Sequence, residues 1–353
     1  MVCIAAFIIL AIVGVFVAFI SIFKPKVGKQ YLKTMKKSWG CFGKRITLQK
    51  CETGFGDDVK NSVLSKLIIR HPKWVKPTSI AIEVASILIV VITVWSLVEG
   101  IKAGLALYSL GTCNVKHAEA CSLGSEVCSI DNNTEASNPI EYIGLWFADW
   151  GEIFGAIPDK FRDWNPDNFA VTAVEIKNEG KPTAIDFYDP GCIVCKKSFQ
   201  AQLESGFFEN YNVRLVVFPI QDNDGKFKYP NSELIARYIY ATNEKEQNNT
   251  TDSIAFKILK RIYTEKDPSR GAWLDAINDF YTGEQMRDIL KSWLKEFGLD
   301  DKTIVEISER VTSNAIDEII DKNNDIVVND IHAKGIPTLI YDGKKHTGRY
   351  EAK

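Results

Sequence analysis

Charged residues are absent from the first apolar stretch of the sequence, Val2–Phe23. The stretch also lacks a basic segment ahead of it and an A-x-A-like cleavage site before Lys24, which argues against a cleaved signal peptide. About 20 apolar residues cross the roughly 30 Å hydrocarbon core of a bilayer. Residues 1–23 are therefore predicted to form a transmembrane helix.

Acidic residues are scarce in the next segment, since residues 24–77 contain fourteen Lys/Arg and three Asp/Glu. A second apolar stretch follows at Ser79–Val98, and residues 78–110 are predicted to form a second transmembrane helix with an extension. The alternative is a buried core helix. A basic loop between two spans is typical of the cytoplasmic side. We expect a two-pass protein of the cell membrane, with the N-terminus and the C-terminal domain outside, and no nucleic-acid binding.

A full set of metal ligands is missing around the cysteines of the basic loop. Nine residues separate Cys41 from Cys51, which could form half of a metal site, and His71 is the histidine nearest to them. A structural zinc site normally needs four ligands. We therefore expect ordinary thiols here and no metal.

Residues 111–168 are predicted to form a linker that contains an aromatic amphipathic helix at Ile140–Phe154. Two placements of this helix are open, in the membrane interface or packed on the domain that follows, and we favour packing. For Cys113, Cys121 and Cys128 we expect one local disulfide that rigidifies the linker. An electron relay is the alternative.

The pattern of apolar residues changes from Phe169 onward and predicts an extracytoplasmic domain over residues 169–353. The predicted strands are 169–176, 183–188, 213–218 and a closing hairpin over 335–350. A helix is predicted from Cys195, which makes the second and third strands part of a βαβ unit. Residues 221–334 form a helical insertion, with helices predicted at 232–242, 254–264, 272–281, 283–297 and 304–322.

Two cysteines lie at the start of the predicted helix, in the sequence Cys192-Ile193-Val194-Cys195. This spacing brings both sulfur atoms within disulfide distance. Unpaired backbone N–H groups and the helix dipole stabilise a thiolate at the first cysteine, and only the thiolate is nucleophilic. Cys192 is therefore the candidate nucleophile and Cys195 the resolving cysteine of a redox pair.

A carboxylate interrupts the apolar strand before this pair. Asp186 lies six residues ahead of Cys192, where burial is costly unless the group has a role. Burial raises the pKa of a carboxyl group, so Asp186 is a candidate proton acceptor for Cys195. The alternative is a carboxylate that reaches solvent.

The segment from Ala184 to Cys195 resembles the active-site strand and helix of the thioredoxin superfamily. Gly335-Ile336-Pro337-Thr338 resembles the cis-proline loop of that family, and the helical insertion resembles its DsbA-type branch. The resemblance implies a thioredoxin-like α/β fold and a cis peptide bond before Pro337. Such a bond leaves the preceding backbone free to pair with a bound peptide. The substrate-binding residues that the resemblance implies are Ile336, Pro337, Ile193 and Val194.

Three features depart from the DsbA pattern. The dipeptide Ile193-Val194 has neither the Pro-His of strongly oxidising DsbA proteins nor the Gly-Pro of reducing thioredoxins. Asp186 and Ile336 are closer to the thioredoxin side. The family fold normally adds a final helix after the hairpin, where this sequence ends. We therefore expect either that another element, such as residues 140–154, covers the sheet or that the chain is incomplete.

The sequence thus predicts a membrane-tethered thiol–disulfide oxidoreductase that exchanges disulfides with exported proteins in the oxidative direction. Its expected partners are exported protein thiols and disulfides, a membrane redox partner and the lipid bilayer. The redox-active disulfide Cys192–Cys195 takes the place of an organic cofactor. The alternatives are a reductase fed by membrane electron transfer, a non-catalytic thioredoxin-fold binding module and a membrane redox sensor.

Overall fold

The computed structural model divides the chain into two compact units, Met1–Ile101 and Lys102–Lys353. The residues that it describes are 9, 25–46, 61, 64–65, 72–121, 126–130, 136–221 and 225–351. The predicted first transmembrane helix, residues 1–23, and Cys51 of the basic loop lie outside the described residues, apart from Ile9.

The basic segment contains a helix that the sequence patterns do not predict. Helix α1 spans Pro25–Ile46. Proline suits the first turn of a helix because its missing N–H has no partner there, and the residues that follow are rich in Lys, which favours helix. The predicted loop of residues 24–77 is therefore helical over its first part.

The second apolar stretch forms helix α2, Val75–Leu110, which includes the predicted span and its extension. Its 36 residues extend over about 54 Å at a rise of 1.5 Å per residue. The most apolar window has a mean hydropathy of 2.4 and is 6% buried. Among the described residues, α2 is the one helix long and apolar enough to cross a membrane. The exposure of this window argues against a buried core helix.

Helix α3, Pro139–Ala156, matches the predicted aromatic helix within two residues. The Asn138 side chain accepts a hydrogen bond from the Glu141 N–H and fixes the start of the helix. Ile153 is fully buried, whereas Phe154 is 56% exposed. Ile153 lies in a cluster apart from the core of the domain that follows, so the expected packing of this helix on that core is wrong. The buried residues of α3 form a small cluster with the end of α2, made of Ala106, Leu110, Val115, Ile153 and Ala156.

A mixed β-sheet organises the second unit. Its strands are β2 Val174–Ile176, β3 Thr183–Tyr188, β4 Asn212–Val217, β8 Thr338–Tyr341 and β9 Lys344–Thr347. The order is β2-β4-β3-β8-β9, and β3 and β4 are the parallel pair. Two short ladders lie beside it, formed by β1 Cys128–Ser129 with β7 Gly335–Ile336 and by β5 Lys266–Asp267 with β6 Gly271–Ala272. The predicted strand 169–176 is reduced to its last three residues.

Parallel strands need a crossover connection, and helix α4, Ile193–Ser205, supplies it between β3 and β4. Gly206 ends α4 in the left-handed conformation, with φ +71°, where a residue without Cβ costs least. The short helix α5, Phe207–Asn210, leads into β4. The predicted βαβ unit is therefore confirmed, with the two cysteines at its strand-to-helix junction.

The predicted helical insertion lies between β4 and β7. Its helices are α6 Ser232–Glu246, α7 Ile254–Thr264, α8 Trp273–Asp279, α9 Gly283–Glu296, α10 Asp301–Val311 and α11 Asn314–Asp325. The prediction of one helix over 304–322 is wrong, because the chain breaks at Thr312 and Ser313. The Ser313 hydroxyl donates a hydrogen bond to the Arg310 carbonyl, a local bond that competes with helical pairing.

The core of the second unit extends beyond the predicted domain start at residue 169. Cys128, Ile130 and Trp164 belong to the same buried cluster as the sheet and the insertion. Helix α3 does not belong to that cluster, so the prediction that residues 140–154 cover the sheet is wrong. Strand order, crossover helix and insertion together form a thioredoxin-like α/β fold.

Candidate active site

Cys192 lies at the N-cap of α4 with no exposed surface. Its Sγ accepts a hydrogen bond from the Cys195 N–H at 3.4 Å, one of the donors that a helix start leaves unpaired. The turn Asp189-Pro190-Gly191 delivers the chain from β3 to this point. Cys192 therefore lies at the positive end of a helix, as predicted.

The proline loop faces this sulfur atom. The Ile336–Pro337 peptide bond is cis, which is the configuration that the sequence predicts. The Sγ of Cys192 lies 3.9 Å from the Ile336 carbonyl oxygen. Since β8 pairs with β3 directly behind the loop, the sheet itself brings Pro337 to the cysteines across about 140 residues of sequence.

The disulfide at this site is not the predicted one. Cys192 is bonded to Cys128, with the two Cα atoms 6.3 Å apart, and Cys195 is a buried free thiol. The reason is the position of β1, which pairs with β7 and places Cys128 opposite Ile336. The predicted local bridge of the linker does form, between Cys113 and Cys121.

Burial raises the pKa of the Cys195 thiol well above its usual value, and the negative charges of Asp189 and Asp186 raise it further. Cys195 is therefore a protonated thiol at neutral pH. Before it can attack a disulfide, its proton has to pass to another group.

Asp186 is fully buried on β3, so the solvent-exposed alternative is excluded. It accepts a hydrogen bond from the Gln202 side chain at 2.6 Å, and Gln202 in turn accepts one from the Tyr188 hydroxyl at 2.8 Å. Burial raises the pKa of Asp186 to about 7, against the effect of these hydrogen bonds. A carboxyl group with such a pKa exchanges protons near neutral pH.

Asp189 is a second buried carboxyl group, and the sequence patterns miss it. It accepts hydrogen bonds from the N–H groups of Gly191 and Ile220, both at 2.7 Å, and from the Ser232 hydroxyl. Burial raises its pKa to about 6, although these bonds favour the charged form. The Asp-Pro-Gly sequence is typical of an exposed turn, and no local signal distinguishes it from this buried one.

The two residues between the cysteines lie in different environments. Ile193 is 46% exposed, whereas Val194 is 6% exposed and packs in the core. Ile336 is fully buried. Of the predicted substrate-binding residues, Ile193 is thus exposed, whereas the backbone of Ile336 lies opposite Cys128 of β1.

No protein-family model matches the sequence, and no curated protein matches it. Among solved structures, the chain is similar to the thiol–disulfide exchange protein alpha-DsbA2 from Wolbachia pipientis, with 17% identity, 57% of this chain and 88% of that chain covered, and a TM-score of 0.37. It is similar to MdbA, a thiol–disulfide oxidoreductase from Corynebacterium matruchotii, with 14% identity, 51% and 89% covered, and a TM-score of 0.36. It is also similar to Wolbachia pipientis alpha-DsbA1, with 10% identity, 53% of this chain and 89% of that chain covered, and a TM-score of 0.38.

Proposed function

We propose that this protein is a membrane-tethered thiol–disulfide oxidoreductase that oxidises the thiols of exported proteins. The observation that supports it most is the position of Cys192 at a helix start, beside the cis-proline loop and above the free thiol of Cys195. A nucleophilic sulfur, a resolving sulfur and a backbone edge for a peptide are the parts that disulfide exchange requires.

In the proposed reaction the Cys192–Cys195 disulfide is the oxidant. A substrate thiolate attacks Cys192 Sγ, the Cys192–Cys195 bond breaks, and Cys195 leaves with the electron pair and takes up a proton. A second substrate thiolate then attacks the substrate sulfur of the mixed disulfide and releases Cys192 as a thiolate. The substrate loses two electrons and gains a disulfide, and the cysteine pair is reduced.

Asp186 and Asp189 are proposed to handle the proton of Cys195. Each charge acts on the pKa of Cys195, and each carboxyl group has a pKa near neutrality. In the oxidising direction they supply the proton that Cys195 gains. In the return reaction they accept it, when a membrane redox partner takes up the two electrons.

In the proposed tether, α2 and residues 1–23 form two membrane spans. The aromatic face of α3 lies in the outer membrane interface. Lys102 of α2 pairs with Asp149 of α3 at 2.5 Å, so α3 lies beside the end of α2. Its large apolar side chains that are at least half exposed are Ile140, Tyr142, Ile143, Phe147 and Phe154. Amphipathic aromatic rings favour the level of the lipid headgroups.

A spanning anchor predicts that the full-length chain stays in the membrane pellet after extraction with alkaline carbonate. Carbonate removes proteins held by surface charge, whereas apolar helices within the hydrocarbon core remain. Recovery of most of the chain in the supernatant would contradict the tether, and a peripheral membrane protein of the same cells serves as the extraction control.

The oxidative direction predicts a reduction potential on the order of −120 to −180 mV for the Cys192–Cys195 pair, the range of DsbA and protein disulfide isomerase. The full-length chain is titrated against glutathione buffers, with Cys113→Ser, Cys121→Ser and Cys128→Ser so that no other linker cysteine contributes. A value near about −270 mV, that of thioredoxin, would instead support the reductase.

A non-catalytic binding module is the second candidate, and the buried Cys128–Cys192 disulfide favours it as a static bridge. The free thiol of Cys195 beneath that bridge argues for exchange, because a static bridge has no use for a resolving cysteine. Full activity of a Cys192→Ser chain in cells would support the binding module.

A further inference from the structure

An internal strand occupies the backbone edge ahead of the cis-proline. Strand β1 pairs antiparallel with β7, with Cys128 opposite Ile336 and Ser129 opposite Gly335. The Ile130 N–H extends the pairing to the Lys334 carbonyl at 3.2 Å. This is the edge that a cis-proline leaves open for a bound peptide, and the chain fills it with its own residues.

The fit of β1 to this edge depends on Gly335. A Cβ atom at Gly335 would lie 3.0 Å from the Cys128 carbonyl oxygen and 2.9 Å from the Val127 Cβ, and Cβ atoms in proteins essentially never approach as closely as the second distance. The absence of a side chain therefore allows the close backbone approach that pairing needs.

Polar contacts hold both ends of the strand. The Glu126 carboxylate pairs with Lys197 of α4 at 2.7 Å, and its carbonyl accepts a hydrogen bond from the Arg349 N–H at 3.3 Å. Further along, the Lys228 ammonium donates to the Ser129 carbonyl at 3.5 Å. The strand thus contacts α4, the insertion and the C-terminal segment at the same time.

Cys128 lies where a substrate cysteine would lie. It is 3% exposed, and it is bonded to Cys192 while the free Cys195 remains behind. The Tyr229 hydroxyl donates a hydrogen bond to Cys128 Sγ at 3.3 Å, and such a donor stabilises a thiolate that leaves from this position. In a mixed disulfide, a substrate cysteine is bonded to the nucleophilic cysteine while the resolving cysteine is free. Cys128, Cys192 and Cys195 have the same arrangement.

We propose that Cys128 is a third redox cysteine that acts as an internal substrate, because its strand fills the peptide edge and its sulfur is bonded to Cys192. This inference rests on the proposed function and adds that the resting state of the chain contains the Cys128–Cys192 disulfide. Since Cys192 has no exposed surface in this state, an exported protein engages the site only after β1 has been released.

Release follows from one exchange step. Cys195 loses its proton and attacks Cys192 Sγ, the Cys128–Cys192 bond breaks, and the Cys192–Cys195 bond forms. Cys128 leaves with the electron pair and takes up a proton. One disulfide and one thiol are present before and after, so the step needs no external oxidant or reductant.

The pairing also indicates which peptides fit the site. A substrate that replaces β1 binds as an extended strand antiparallel to β7, with its cysteine opposite Ile336. Backbone hydrogen bonds supply the affinity in this mode and the adjacent side chains the specificity. Extended segments with an unpaired cysteine are therefore the expected substrate class.

The first test maps the disulfides of the full-length chain in lipid nanodiscs, after acid quenching and alkylation at several glutathione ratios. We expect the Cys128–Cys192 linkage as a major species, in exchange with Cys192–Cys195. In the Cys195→Ser chain we expect Cys128–Cys192 alone. A map with Cys128 as a free thiol at every ratio, or with Cys128 joined to Cys113 or Cys121, overturns the inference.

The second test measures the rate at which the same preparations oxidise a short dithiol peptide. The tethered Cys128 thiol competes with the peptide for Cys192 at an effective concentration in the millimolar range, so the Cys128→Ser chain, which lacks this thiol, should react roughly tenfold faster than wild type. The Cys113→Ser/Cys121→Ser chain is the matched control, since it removes a linker disulfide without freeing the edge. We expect it to react at the wild-type rate.

The outcomes separate the two proposals. Equal or slower oxidation by the Cys128→Ser chain, with an active wild type, overturns the internal substrate alone. No oxidation of the peptide by wild type or by any variant overturns the proposed function, and the internal substrate with it.

Discussion

Replacing Cys192 with serine is expected to lower the rate of dithiol peptide oxidation by more than about 10³-fold, the scale of loss when a catalytic nucleophile is removed. A serine hydroxyl forms no disulfide, so neither the Cys192–Cys195 oxidant nor the mixed disulfide with a substrate exists in this chain. The measurement is the single-turnover rate of the oxidised full-length chain in nanodiscs.

The matched control for this loss is the Cys113→Ser/Cys121→Ser chain. It removes two cysteines and one disulfide from the same unit, at a bridge that closes eight residues of the linker. We expect the control to retain the wild-type rate. Retention of activity by the Cys192→Ser chain, or equal losses in both chains, would place the chemistry elsewhere.

The Asp186→Asn chain is expected to differ from wild type in the pH dependence of its stability. The pKa of Asp186 rises from 3.8 to about 7 on folding, so the folded chain binds this proton more tightly than the unfolded chain. The free energy of unfolding of wild type therefore decreases as the pH rises from about 4 to about 7. A rise of this size corresponds to roughly 4 kcal/mol at 1.36 kcal/mol per pKa unit.

An amide at position 186 has no proton to lose, so the Asn variant lacks this decrease. The difference in unfolding free energy between variant and wild type should shift by roughly 4 kcal/mol in favour of the variant between pH 4 and pH 8. Asp321→Asn, a change at an exposed helix position, is the control and should show a constant difference. A constant difference for Asp186→Asn as well would contradict the buried, protonated carboxyl group.

Local patterns predict the part of the site that one βαβ unit contains. Strand 183–188 and helix 254–264 have the predicted bounds, because their apolar periodicity matches the faces that they bury. Cys192 follows from the same logic, since Asp-Pro-Gly ends the strand and the helical pattern begins at Cys195. Here sequence neighbours are also spatial neighbours.

The partner of Cys192 depends instead on contacts between distant segments. Cys128 is 64 residues away in sequence, on a strand of two residues that leaves no periodic pattern. Its neighbours Glu126 and Ser129 resemble the rest of a polar linker. The pairing with β7 exists only once the proline loop has formed, so composition and spacing favour a local bridge among the linker cysteines.

The burial of Asp189 is equally unpredictable from local sequence patterns. Asp189 takes its partners from Ile220 and Ser232, which the helical insertion and the end of β4 bring together around the turn. Helix α3 shows the opposite case, since its aromatic residues predict packing but several of them are exposed. In both cases burial is decided by tertiary contacts and not by the residue types.

Disulfide exchange at Cys192 is tested most directly by trapping its mixed disulfide with an exported protein. The full-length Cys128→Ser/Cys195→Ser chain keeps Cys192 but lacks both sulfurs that would release a captured substrate. Its Cys192 thiolate attacks a disulfide of an exported protein, one substrate sulfur leaves as a thiolate, and the chain should accumulate linked to exported proteins in cells. Peptide mapping should find these links at Cys192. Links only at Cys113 or Cys121, or no captured protein at all, would contradict disulfide exchange at Cys192.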